Sequence, residues 1–192
     1  DLHPNIQHRF EHNPASDQPL YYQGKLDQLW CSRAGKWLGW LTSPFLGGAL
    51  IPHCDQDFPV DIAVFSKPDS PAIFKRRWYH LHHRPPIIFT SKMLPDHDGA
   101  LLEYVGAGLG MRLILSVVNG NLHFHSDGYF WEIMGRRLPI PKLFTPGATW
   151  LIHHNESAEH FSIRIAITHP WLGLTFLQTG WFQETTLAPP EF

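Results

Sequence analysis

Hydrophobic and polar residues alternate along several short segments of this chain, with the period expected of strands that have one buried face. The clearest segment is 161–168, in which Phe161 and three isoleucines occupy every second position. Segment 174–184 follows a turn and is predicted to be its partner strand. Further strands are predicted at 20–30, 59–66, 72–82, 87–93, 101–105 and 149–154.

The strongest local turn signal is Asn119-Gly120, which lies between two alternating runs. Both residue types tolerate the positive φ that a two-residue type I′ turn requires, so a β-hairpin is predicted here. In this register the residues expected to face the core are Leu115, Val117, Leu122 and Phe124. His123 and His125 fall on the opposite face.

Helical periodicity is scarce, and it predicts only two short helices, at 3–12 and at 35–46, the second ended by Gly47 and Gly48. Seventeen prolines and fifteen glycines are scattered over the whole length. The predicted fold is therefore a single mainly β domain over residues 1–192, an antiparallel meander of about 8–10 strands forming a barrel or a strongly curved sheet. The alternative is an α+β fold in which an open curved sheet wraps on a helix.

Charge and composition narrow the function classes. A net charge of -2 and a pI near 6.7 argue against nucleic-acid binding, and the run Lys75-Arg76-Arg77 is interpreted as solvated strand or turn residues. With 43% hydrophobic and 17% charged residues, some apolar surface remains for a cavity wall or a contact face. Cys31 and Cys54 form no disulfide framework and no signal peptide is visible, so a cytoplasmic location is expected.

Fourteen histidines suggest a metal site as one alternative. The pairs His80/His82 and His123/His125 each place two imidazoles on one strand face, with His153 or Glu132 as a third ligand. Their spacing lacks a properly placed third ligand, so we predict no metal and no cofactor. Gly106-Ala107-Gly108-Leu109-Gly110 misses the dinucleotide fingerprint because position 111 is Met111, and a turn or bulge is predicted instead.

Two groups of residues are candidates for a binding site. Glu103 is the carboxylate expected to be partly buried, and its neighbour Tyr104, with His123 and His125, is expected to share the site. Large aromatic residues interrupted by glycine and proline occupy segment 37–46, namely Trp37, Trp40 and Phe45. This segment is predicted to border the entrance of an apolar pocket as a lid, with core packing or peripheral membrane contact as alternatives.

Several sequence pieces, taken in order, resemble the bacterial family catalogued as domain of unknown function 4166. They are His3-Pro4, Gln7-His8-Arg9-Phe10, Gly24-Lys25-Leu26-Asp27-Gln28-Leu29-Trp30, Phe58-Pro59-Val60, Phe89 to Met93, Tyr104-Val105-Gly106, Gly120 to Ser126, Pro141-Lys142-Leu143-Phe144, His169-Pro170-Trp171-Leu172-Gly173 and Gly180-Trp181-Phe182. The resemblance implies no catalytic residue. Because members occur alone or appended to dehydrogenase-like domains, it implies an oxidoreductase as a partner.

The leading functional hypothesis is a non-enzymatic binding module for an apolar or amphipathic small molecule. One competing hypothesis is an enzyme that uses the histidine pairs with a metal, or Glu103 as acid or base. Another is an accessory domain that only contacts other proteins. An apolar cavity favours the first hypothesis, convergent histidines and carboxylates the second, and a flat apolar face the third.

Overall fold

The computed structural model describes residues 1–11, 18–46 and 49–189, and for Glu11 and residues 43–46 it describes the backbone only. About 61% of the chain is strand and 11% is helix. The elements in chain order are α1 (Pro4–Glu11), β1 (Leu20–Cys31), α2 (Arg33–Leu46), β2 (Phe58–Lys67), β3 (Ser70–Tyr79), β4 (Ile87–Pro95), β5 (Leu101–Gly106), β6 (Leu109–Val118), β7 (Asn121–Ile133), β8 (Arg136–Ile140), a 3-10 turn (Lys142–Phe144), β9 (Ala148–Asn155), β10 (His160–His169) and β11 (Gly173–Thr185).

Ten of these strands form a closed antiparallel barrel. Each strand from β1 to β7 pairs with the next, β7 pairs with β9, and β9, β10 and β11 continue the ring until β11 pairs with β1. The remaining strand, β8, pairs with the second half of β7 and extends the wall there. The predicted meander and barrel are thus confirmed, and closure leaves no long unpaired edge in the ring.

The two helices lie at opposite ends of the barrel. α1 stands at the end where β1 begins, and its Ile6 is fully buried against Leu113, Leu122 and Phe124. α2 follows β1 at the other end and contacts β11, β1 and β5.

Ser32 caps the first turn of α2, because its Oγ accepts a hydrogen bond from the backbone N–H of Gly35 at 3.0 Å. The helix therefore begins two residues before the predicted start. The glycine pair predicted to end this helix, Gly47 and Gly48, lies outside the described residues.

The hairpin at Asn119-Gly120 has the predicted two-residue turn, with φ of 51° and 77° at the two positions and Val118 paired with Asn121. Leu122 and Phe124 face the core as predicted. Leu115 and Val117 share this face, since they pair with Phe124 and Leu122, but they are 36% and 44% exposed. The reason is the length of β5, whose last pair with β6 is Leu101–Leu113, so the end of β6 projects beyond its neighbour.

One further local prediction is confirmed, and one strand is not predicted by the sequence. The glycine-rich segment 106–110 is a tight turn between β5 and β6, with positive φ at Gly106, Ala107 and Gly108, as expected. β8 was not predicted, because its sequence, Arg136-Arg137-Leu138-Pro139-Ile140, has neither clear alternation nor a proline-free interior.

Candidate functional site in the barrel interior

The inward-facing side chains of the barrel surround two cavities of about 160 and 200 Å³. One lies towards α1, whose Arg9 and Phe10 contribute to its lining, and is called the α1-side cavity; the other lies towards α2, whose Thr42 contributes, and is called the α2-side cavity. Eight side chains line both, namely Arg77, Tyr79, Glu103, Leu113, Phe124, Leu151, Ile165 and Gln178. A band of polar groups therefore crosses an otherwise apolar interior.

β3 supplies much of this polar band. Strand alternation places Ile73, Lys75, Arg77 and Tyr79 on the inner face. Lys75 Nζ lies 4.0 Å from the sulfur of Met93. Among the described residues, no ion pair involves Lys75. Burial within the barrel lowers the pKa of Lys75, and the carboxylate of Glu103 opposes that shift.

Glu103 on β5 is held by two neighbouring strands. Its side chain is buried, and its Oε1 accepts a hydrogen bond from Ser91 Oγ at 2.9 Å. Arg77 Nη2 lies 3.7 Å from the same oxygen, while Arg77 Nη1 donates to Ser91 Oγ at 3.1 Å. Arg77 also lies over the ring of Phe89, 5.3 Å from its centroid. Glu103 and Arg77 therefore largely neutralise each other.

His153 on β9 lines the α1-side cavity in an unusual state. Its side chain is 5% exposed and stacks on Phe161 with ring centroids 4.6 Å apart, while Phe10 meets it edge-on at 5.5 Å. Burial lowers the pKa of His153 to about 3, helped by the positive charges of Arg9 and Lys75. The imidazole is therefore neutral at physiological pH, and its Nδ1 is buried without a hydrogen-bond partner.

Three tyrosines add protonated hydroxyl groups to the inner wall. Burial raises the pKa of Tyr22 and of Tyr129 to about 12, and it raises the pKa of Tyr79 as well. Tyr129 Oη lies 2.6 Å from the Thr149 hydroxyl. These groups can donate or accept hydrogen bonds without carrying charge.

Of the residues predicted to bind a ligand, Glu103 lines both cavities, whereas three others lie on the outer face. Tyr104 donates a hydrogen bond to Glu132 Oε2 at 2.6 Å and packs edge-on against Phe130. His123 and His125 flank Trp150 on the outside of the barrel, and Trp150 Nε1 donates to His123 Nδ1 at 3.1 Å. Residues of alternate parity on one strand face opposite sides, and this separates Tyr104 from Glu103.

The predicted lid residues also lie away from both cavities. Trp37 and Trp40 are 64% and 62% exposed on the outward face of α2 and line neither cavity. The glycines Gly35 and Gly39 occupy the inward face of the helix, where added side chains would collide with the backbone of Thr175 and Leu50. The side chain of Phe45 lies outside the described residues.

The histidine pairs considered as metal ligands are each engaged elsewhere. His80 Nε2 lies 2.7 Å from Asp61 Oδ2, and His82 Nδ1 lies 3.0 Å from Asp55 Oδ1. These two histidines follow β3, whereas His123 and His125 lie near the start of β7. Within the described part of the chain, no three His, Cys, Asp or Glu side chains converge as metal ligands.

Sequence reasoning missed Lys75, Arg77 and His153 as interior residues. Lys75 and Arg77 were interpreted as solvated, which is wrong; only Arg76 between them points outward. A signal was available, because Ile73 and Tyr79 share their strand parity and mark the face as inward. His153 carries no such mark, since Leu151 and Ile152 make both faces of β9 equally apolar at that point.

The family model for Domain of unknown function (DUF4166) matches residues 2–182 of the sequence. The chain belongs to this family. The family that the sequence pieces suggested is therefore confirmed. The family description assigns neither a ligand nor a reaction.

Comparison with other proteins supplies neither a ligand nor a reaction for the site. No curated protein matches the sequence. The crystal structure of Rv2717c from M. tuberculosis aligns with a TM-score of 0.48 at 9% sequence identity, covering 96% of this chain and 99% of that chain. Among the described helices, none is both long and apolar enough to cross a membrane.

Proposed function

We propose that this protein binds an apolar or amphipathic small molecule inside its barrel. The observation that carries the proposal is the interior itself, in which apolar side chains from the barrel strands surround two adjoining cavities that share a narrow band of polar groups. Ligand sites in proteins usually combine an apolar lining with a few fixed polar groups. A barrel filled for stability alone is packed with side chains and leaves no such space.

The experiment is a titration of the folded protein with an environment-sensitive naphthalene sulfonate dye. We expect saturable binding with a rise in dye fluorescence. Ile165 lines both cavities, so Ile165→Trp places a larger side chain inside the barrel and is expected to abolish saturable binding.

The matched control is Arg164→Trp, which adds the same side chain to the exposed outer face of the same strand. This control is expected to bind the dye as the parent protein does, with circular dichroism confirming that both variants are folded. Equal binding by the parent and by Ile165→Trp contradicts the proposal, because the dye then binds outside the barrel.

A second candidate function is docking to an anionic membrane surface through the α2 end of the barrel. Exposed apolar side chains cluster on the elements at this end, namely Trp37, Trp40, Leu41, Phe144, Trp171 and Leu172. Among the described residues, no ion pair involves the neighbouring cations Arg33, Lys36 and Lys142. Aromatic anchors flanked by unpaired cations suit a lipid interface with negative headgroups.

Vesicle flotation tests this second function. Binding is expected with vesicles of phosphatidylglycerol and phosphatidylcholine and weaker binding with phosphatidylcholine alone. The double variant Trp37→Ala/Trp40→Ala should lose most of the binding, whereas Trp181→Ala, which removes an outward tryptophan from the barrel wall, should not. Equal loss in both variants contradicts docking through this end.

The oxidoreductase partner implied by the family resemblance stays a prediction.

A further inference from the structure

The α1-side cavity has an imbalance of charge. Its ionisable lining consists of Arg9, Lys75, Arg77, Glu103, His153 and two tyrosines. Glu103 is paired with Arg77, and His153 and the tyrosines are neutral because burial shifts each pKa in favour of the neutral form. Lys75 forms no ion pair with a described carboxylate, and burial lowers its pKa too, whereas an anion bound beside it would favour its charged form.

Arg9, the other cation at this end of the cavity, is already engaged by protein groups. Its guanidinium donates to the side-chain oxygen of Asn155 at 3.2 Å and to the carbonyl oxygens of Ser157 and Ala158, at 3.5 and 3.2 Å. All three acceptors are neutral, and the carboxylate of Glu184 favours the charged guanidinium, so Arg9 is already stabilised by groups that do not line the cavity. An ammonium group held among apolar groups without a counter-charge is costly, and it loses its proton unless an anion pairs with it.

His153 gives a second, independent indication of a ligand. Its Nδ1 is buried and has no hydrogen-bond partner, which is rare because leaving a buried polar atom unsatisfied is destabilising. A neutral imidazole carries one N–H, which can sit on Nδ1 and serve as a donor, and the residue lines the cavity. Burial is the main cause that lowers the pKa of His153, and the charges of Arg9 and Lys75, which line the same cavity, lower it further.

We infer that the α1-side cavity binds a carboxylic acid with an apolar body, whose carboxylate is held by Lys75 and His153. One unpaired cation inside the cavity matches a singly charged group better than a doubly charged phosphate. The apolar body has the remaining wall to contact, which includes Val60, Ile62 and Ile163. This inference rests on the proposed function and specifies the ligand's charged group.

The test compares decanoate with decanol, which share an apolar chain and differ in charge, by isothermal titration calorimetry on the full chain. Decanoate should bind at least about tenfold more tightly, since a hydrogen bond to a charged group is worth roughly 1.5–3 kcal/mol. Lys75→Met keeps the length of the side chain and removes its charge. It should reduce decanoate affinity by about tenfold or more and leave decanol affinity unchanged.

Two further variants provide a control for charge and a second test of the site. Lys92→Met removes the same charge from the outer face of β4, where the ammonium lies over the ring of Tyr104, and should leave both affinities unchanged. His153→Phe preserves the stacking on Phe161 and should weaken decanoate binding selectively. Lys75→Met should fold at least as stably as the parent, because it replaces an ammonium group that burial disfavours with an apolar side chain.

The outcomes separate the two proposals. If neither decanoate nor decanol binds, and the dye does not bind, binding inside the barrel is contradicted. If both bind with equal affinity, or if Lys75→Met binds decanoate as the parent does, the carboxylate site is overturned while the proposed function stands.

Discussion

At the scale of single residues, His153 links the interior site to the stability of the fold. Its pKa is about 3 in the folded protein and near 6.5 in the unfolded chain. The unfolded chain therefore binds more protons between these two values, and folding stability falls as the pH drops below about 6.5. The slope contributed by one such group is about 1.4 kcal/mol per pH unit.

His153→Phe is expected to remove this slope, because phenylalanine does not titrate and can still stack on Phe161. The measurement is the free energy of unfolding by urea at neutral and at mildly acidic pH. His154→Phe is the control, since this neighbour lies on the other face of β9 and should keep the parent's slope. Equal slopes in the parent and in His153→Phe would show that the imidazole is already accessible to protons in the folded state.

At the scale of elements, the hairpin between β6 and β7 depends on the backbone of Gly120. Its φ is 77°, and the nearest side-chain atom to an added Cβ, on His3, is 3.8 Å away. Any loss of stability in Gly120→Val is therefore due to backbone strain rather than to a collision. We expect a loss of about 1–2 kcal/mol, whereas Gly120→Asn, which tolerates positive φ, should cost much less. Thermal unfolding of the two variants measures the difference.

The seam between β1 and β11 depends on glycine for a different reason. Gly180 pairs with Leu26, and Gly24 pairs with Phe182, whose ring covers it. An added Cβ at Gly180 would overlap the carbonyl oxygen of Lys25, which belongs to the backbone of the partner strand. Two of the sequence pieces that indicated the family, around Gly24 and Gly180, thus meet at the point where the ring closes.

Gly180→Ala should therefore destabilise the protein by about 1–3 kcal/mol, as overpacking does in a well-packed core. The control is Thr179→Ala on the same strand, whose side chain points outward and whose loss should cost no more than about 0.5 kcal/mol. Urea unfolding monitored by tryptophan fluorescence compares the two. A loss in Gly180→Ala no larger than in the control would mean that the seam can relax by separating its strands.

The sequence predicted the strands well and the site poorly, for a physical reason. Ten strands were recognisable because burial of one face imposes a period of two, and Asn119-Gly120 fixed one register directly. Which face is inward depends on how the sheet closes, and this is a property of all strands together. The charge of Lys75 and Arg77 favours an exposed position, although the parity that they share with Ile73 and Tyr79 opposes it. Tyr104, His123 and His125 are predicted in the site but lie on the outer face.

At the scale of the whole molecule, closure brings the first and last strands together. Tyr21 pairs with Thr185, so the two ends of the barrel sequence are neighbours in space. A circular permutant that joins the end of the sequence to its start by a flexible linker, and opens between Pro68 and Asp69 in an exposed turn, should keep the fold and a similar melting temperature. A permutant opened between Ile163 and Arg164, inside β10, should not fold. Circular dichroism and thermal unfolding distinguish them, and equal behaviour would mean that ring closure contributes little.

The pairing of β1 with β11 also matters for the order of events during synthesis. The ribosome synthesises β1 early, but β11, the second neighbour of β1 in the ring, is synthesised only after almost all of the remaining chain. Until then β1 has one side unpaired, and the interior is an open trough rather than a container. A hydrophobic compound present at that moment would contact the interior before the wall is complete, and the last strand to arrive would enclose it.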